Sequence, residues 1–130
     1  MADYTLKNIK DITNMAEKFE LSPGLEARFA RDELELTKLG VSYLGLAPNF
    51  RVPFGHHHNT QEEVYVLVSG SAKLKLDDEV IELKPFDAVR IHEDTMRNLE
   101  GGPEGAEVVL FGAPNAGSDD AQMEQGWWMD

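Results

Sequence analysis

Phe54-Gly55-His56-His57-His58-Asn59-Thr60-Gln61-Glu62-Glu63-Val64-Tyr65-Val66-Leu67-Val68-Ser69-Gly70 sets three of the chain's four histidines directly ahead of a run rich in β-branched residues. Such a run reads as a strand. Side chains alternate between faces in extended backbone, so His56 and His58 share a side while His57 points away from it. A carboxylate on a neighbouring strand segment completes a donor set. Imidazole and carboxylate suit divalent first-row metals, and a two-His, one-carboxylate set leaves coordination positions open for water or substrate. The competing reading is a solvated loop of histidines before an ordinary strand.

On the C-terminal side, Ala72-Lys73-Leu74-Lys75-Leu76 alternates cleanly, Asp77-Asp78 supplies a tight turn, and Val80-Ile81-Glu82-Leu83 returns. Together they predict a hairpin. Further strands are expected at Ala88–Ile91, 96–100 and 107–111, separated by turn clusters such as Gly101-Gly102-Pro103-Glu104-Gly105. Residues 63–68 are apolar on both faces, the pattern of a strand between two layers or under a partner subunit. On the N-terminal side, Val41, Tyr43, Leu44 and Leu46 mark a strand that Pro48-Asn49 ends. Asn14, with Glu17 three residues on, has the form of a helix cap ahead of a single turn, and Ser22-Pro23-Gly24 is a turn. Residues 3–12 alternate loosely, as a peripheral strand or extended arm does. Short strands separated by polar turns point to a sandwich or barrel, and no repeat of 20 to 50 residues is present. After Phe111 the chain turns polar through Ser118-Asp119-Asp120 and reads as a tail, with Trp127-Trp128 expected to dock on the outside.

A chain of 130 residues is long enough for one core and buries roughly two-thirds of its unfolded-chain surface. Twelve Lys plus Arg against 24 Asp plus Glu give a formal charge of -12, which repels phosphate backbones and anionic membranes. Neither nucleic acid nor membrane is an expected partner. The absence of cysteine removes disulfide and thiolate chemistry and fits a reducing, cytoplasmic setting. The N-terminus lacks a basic region followed by an apolar run, and no stretch approaches transmembrane length.

The histidine-rich stretch resembles the first signature of the cupin superfamily: Gly, five residues, His-x-His, three or four residues, Glu, six residues, Gly. His56, His58, Glu63 and Gly70 match at that spacing, while the first Gly falls on Phe50. The resemblance implies an all-β double-stranded β-helix, a jelly-roll barrel. Its core would cover about residues 25–112, with an N-terminal arm over 1–24 and a C-terminal tail over 113–130. It also implies a strand at 25–31, where Leu25, Ala27 and Phe29 keep period 2, and metal binding by His56, His58 and Glu63.

Cupins carry a second signature: Gly, five residues, Pro-x-Gly, two residues, His, three residues, Asn. Registered after Leu83, its glycines fall on Phe86 and Asp94, its Pro on His92, its His on Arg97 and its Asn on Gly101. Every signature residue is replaced, although the apolar skeleton and the Lys84-Pro85-Phe86-Asp87 turn still resemble a cupin. The lost His is the fourth ligand in metal-binding cupins. Arg97 cannot take that role, since guanidinium has five donors and no acceptor. Either Arg97 pairs with Glu63 in a metal-free site, or an anion such as a substrate carboxylate bridges Arg97 and a three-ligand metal. Tyr65, one face-step from Glu63, hydrogen-bonds a ligand or simply packs. His92 is a structural turn residue or a displaced fourth ligand.

Three functions remain open at this level. One is a metalloenzyme with divalent iron, manganese, nickel, copper or zinc, acting on a small polar or carboxylated molecule by dioxygenase- or isomerase-type chemistry. The second is a non-catalytic binder of a small acid anchored by Arg97. The third is a structural cupin without metal. Open sheet edges make a homodimer the expected assembly.

Overall fold

The computed structural model describes residues 1–113 and 120–129; the polar run 114–119, read above as part of the tail, and Asp130 lie outside them. Among the described residues eight strands follow one another as β1 (Leu25–Phe29), β2 (Gly40–Leu46), β3 (Phe54–His58), β4 (Glu63–Leu76), β5 (Glu79–Leu83), β6 (Ala88–Ile91), β7 (Arg97–Gly112) and β8 (Ala121–Gln125). No helix among the described residues is long and apolar enough to cross a membrane.

The two long strands organise the rest. β4 and β7 pair antiparallel from Glu63↔Gly112 to Leu76↔Arg97, with register shifts around Ser69 and Ser71. Such bulges bend a strand and increase its twist. Gly70 sits at the bend with φ +80°, and a Cβ there would lie 2.1 Å from the Gly105 carbonyl oxygen. Only glycine meets both demands. Beyond the bend each strand changes neighbours, so the curled sheet has two faces. In one, β1, β2, the second half of β7, the first half of β4 and β6 lie side by side. In the other, β5, the second half of β4, the first half of β7, β3 and β8 do so. This is the all-β double-stranded β-helix. Between the faces pack Leu25, Leu46, Leu67, Leu74, Ile91 and Val108.

The hairpin expected at Asp77-Asp78 is present, with Lys75↔Val80 and Leu74↔Ile81 opposed. Three expectations are corrected. The strands expected at 96–100 and 107–111 are one strand, because residues 102–105 arch past Ser71 while the ladder resumes on either side. The stretch 63–68 is not buried on both faces. Glu63, Tyr65 and Leu67 are buried, Val64 and Val66 are half-buried, and Val68 is exposed, as an antiparallel sheet with one solvated face allows. Finally, residues 121–125 form β8 along the edge of β3, from Phe54↔Gln125 to His58↔Ala121. Backbone pairing holds this segment, which its polar sequence could not announce.

The tryptophans clamp that end. Trp128 is buried, with the Arg51 guanidinium 4.1 Å from its ring, and Arg51 donates to its carbonyl at 3.0 Å. Trp127 lies under Lys75 and so close to β3 that a Cβ on Gly55 would stand 2.5 Å from the indole. At the other terminus the expected helical turn is a 3-10 turn, Met15–Glu17. Its cap residue Asn14 accepts from Ala16 N and Ala27 N, both at 3.0 Å, which ties the N-terminal arm to β1.

Candidate metal centre

Alternation along β3 turns His56 and His58 inward, and register brings their partners to them. Glu63 opens β4 and Arg97 opens β7 directly opposite His56. The result is three groups around one carboxylate oxygen. Glu63 Oε1 lies 3.3 Å from His58 Nε2, 3.8 Å from His56 Nε2 and 2.6 Å from Arg97 Nη1. The imidazoles stand edge to face, with centroids 5.0 Å apart and planes at 88°. His57 points away, its Nδ1 near the His58 carbonyl.

Arg97 is fully buried. Its Nε donates to Thr95 O at 3.0 Å, and its Nη2 donates to His92 O, Glu93 O and Thr95 O. With Nη1 on Glu63, all three nitrogens have protein acceptors. The guanidinium is thus fixed behind Glu63. His92 contributes its carbonyl to that anchorage, while its ring faces solvent beside Glu93 and Asp94, outside the cluster. Tyr65 is buried beside Glu63 and Arg97. Burial, reinforced by the Glu63 charge, pushes its phenol well above the ordinary range, so it stays protonated.

A residue that carried no mark in the sequence completes the arrangement. Asp120, just before β8, is only 2% exposed. Its Oδ2 lies 3.1 Å from His58 Nδ1, and its Oδ1 accepts from Thr60 N at 3.0 Å and Thr60 Oγ1 at 2.5 Å. An aspartate accepting from Nδ1–H fixes the tautomer that leaves the Nε2 lone pair facing Glu63. That Nε2 is buried and has no hydrogen-bond partner of acceptable geometry. Buried polar atoms in folded proteins are generally paired, so an orphan of this kind demands a reason. The one signal for this segment was the weak alternation of Ala121 and Met123 with Gln122 and Glu124.

Protonation at His56 agrees with ligation. Burial pushes the His56 pKa below its ordinary value, against the upward pull of Glu63, so the ring is neutral at pH 7. One ligand atom from each of His56, His58 and Glu63 falls within 4.8 Å of the others. Two imidazoles, a carboxylate and an orphaned buried Nε2 fit a divalent first-row ion. Nearby, a cavity of about 730 Å³ has His56, His58, Glu63 and Tyr65 in its wall.

No protein-family model matches the chain, and no curated protein matches it in sequence. Solved structures do. A cupin protein from Bacteroides fragilis is 28% identical, with a TM-score of 0.69 over 91% of this chain and 89% of that one. The polyketide cyclase RemF from Streptomyces resistomycificus is 16% identical, with a TM-score of 0.71 over 97% of this chain and 87% of its own. Oxalate decarboxylase from Bacillus subtilis is 22% identical, with a TM-score of 0.71 over 91% of this chain but 32% of its own length. The curled eight-stranded sheet with a His-His-Glu cluster on its inner face defines a small double-stranded β-helix protein. The chain belongs to the cupin superfamily.

Proposed function

We propose that His56, His58 and Glu63 bind a divalent transition metal (iron, manganese, nickel, copper or zinc) and that the protein acts on a small molecule held in the adjoining cavity. The orphaned Nε2 of His58, aimed at Glu63 by Asp120, carries this reading. When bound, such an ion polarises a substrate oxygen as a Lewis acid, and a redox-active one also carries electrons. Dioxygenase- and isomerase-type reactions are both open to that chemistry, and the fold hosts a decarboxylase and a cyclase among the neighbours named above. The chain's own groups have separate tasks. Asp120 orients His58, Arg97 holds Glu63 in place, and Tyr65 keeps a proton beside the cluster.

The Arg97–Glu63 pair favours a second reading, a cupin that binds its ligand without metal. Metal analysis of untagged protein separates the two. Near-stoichiometric metal in the wild type, lost in His56→Ala, is expected; equal trace content in both rejects the metal centre. Exposed Val68 beside half-buried Val64 and Val66 supports a homodimer, which sedimentation tests. The absence of cysteine supports a cytoplasmic setting.

A further inference from the structure

We infer that the cavity takes an uncharged, mostly apolar small molecule, aromatic or alicyclic, with one hydrogen-bonding oxygen turned toward His56. This deepens the proposal above and rests on its placement of the reactive end at the His-His-Glu cluster.

Charge is the first observation. Asp, Glu, Lys and Arg make up 28% of the chain, yet the cavity wall holds only two of them among the described residues: Glu63 in the cluster and the exposed Arg31. Leu25, Leu44, Val52, Phe54, Leu99 and Leu110 supply much of the remainder. The apolar character continues outward, because Phe19, Phe29 and Met123 also belong to this wall and are exposed to solvent. Met123 stands on β8 opposite His56, so an apolar side chain flanks the cluster itself. Large exposed apolar groups gathered on one cavity mark a surface meant to be covered, and a concave one is suited to a small molecule.

Arg97 is no anchor for the expected small acid, and Arg31, the wall's one Lys or Arg among the described residues, is exposed. Arg97 does not line the cavity, and its three nitrogens are engaged by Glu63 and by the carbonyls of His92, Glu93 and Thr95. At the cluster, His56 is partly open to the cavity, while Asn98 in the wall is engaged with the Val52 carbonyl. At about 730 Å³ the space suits a compact multi-ring compound.

Isothermal titration calorimetry of the full chain, as purified and after EDTA treatment, tests this with 2-naphthol, 2-naphthoate and glucose as probes. Naphthol is expected to bind at least ten-fold tighter than naphthoate to the EDTA-treated protein, with no heat from glucose. Phe29→Glu and Met123→Glu alter exposed positions and should weaken naphthol at least five-fold at unchanged Tm. Naphthoate binding as tightly as naphthol to EDTA-treated protein, or naphthol affinity unmoved by both variants, overturns the inference. Cobalt uptake, read from visible absorption in wild type and His56→Ala, is scored separately. Its failure removes the metal centre, whereas the ligand preference of EDTA-treated protein stands or falls alone.

Discussion

Replacing Arg97 with Met should destabilise the metal-free protein and tighten its grip on a divalent ion at the same time. The guanidinium sits 2.6 Å from Glu63 Oε1 and is fully buried, while the Glu63 side chain is 11% exposed. Breaking a buried pair by removing one partner costs about 3–5 kcal/mol, because the remaining charge is left uncompensated. The low end applies here, since the two imidazoles beside Glu63 can accept a proton and share the burden. A loss of about 3 kcal/mol lowers the Tm of a domain this size by roughly 10–15 °C. Metal affinity moves the other way. An ion held by Glu63 would lie about 5 Å from the guanidinium, and each unit of its charge is repelled there by roughly 3 kcal/mol at an effective dielectric of about 20. Removing the guanidinium strengthens binding by about 100-fold or more. Urea unfolding in EDTA reads the first effect, and calorimetric titration with Zn²⁺ or Co²⁺ reads the second. If Arg97→Met leaves metal-free stability within about 0.5 kcal/mol of wild type, or binds metal more weakly, the account of Arg97 as an internal counter-charge is wrong.

Asp120→Asn should lower metal affinity by about 10- to 100-fold, as loss of a partner behind a ligating histidine does; unchanged affinity in a zinc titration would remove Asp120 from the site. Gly70→Ala forces a Cβ to within 2.1 Å of Gly105 O at φ +80° and should cost more than about 1 kcal/mol, read as a lower urea midpoint. Trp128→Ala removes a buried ring stacked on Arg51. It should cost about 3 kcal/mol and open the β8 segment to limited proteolysis, which the wild type resists. Hydrogen bonds from Lys10, Tyr43 and Ser69 hold the Glu107 carboxyl down at about 2, against an ordinary 4.5. Its folded pKa is the lower one, so its stabilising contribution is complete above 4.5 and disappears as pH falls toward 2. Thermal melts down that acid limb should therefore fall less steeply for Glu107→Gln, and identical slopes would dismiss the linkage.

Local signals were legible where one residue spacing carried all the information. The alternation of Ala72, Leu74 and Leu76 against Lys73 and Lys75 marked the hairpin because each strand has one wet face. Strand periodicity put His56 and His58 on one face, whereas Glu63 opens the next strand and its place beside them was legible only through the resemblance. Gly101-Gly102-Pro103-Glu104-Gly105 misled because turn-forming residues also serve a strand that must bend. Phe50, where the signature has glycine, is accommodated across the fold. Its ring occupies the space a Cβ on Gly24 would need, coming within 2.2 Å of it. Asp120 was out of reach, because its meaning depends on β8 pairing with β3 and nothing nearby encodes that edge.

The aspartate behind His58 stands 62 residues further along the chain. A ribosome adding roughly 5–20 residues per second delivers the two imidazoles and Glu63 some 3–12 seconds before it arrives. During that interval nothing fixes the His58 ring from behind. A metal site on these residues would be complete only once β8 has paired with β3 and Asp120 locks the ring.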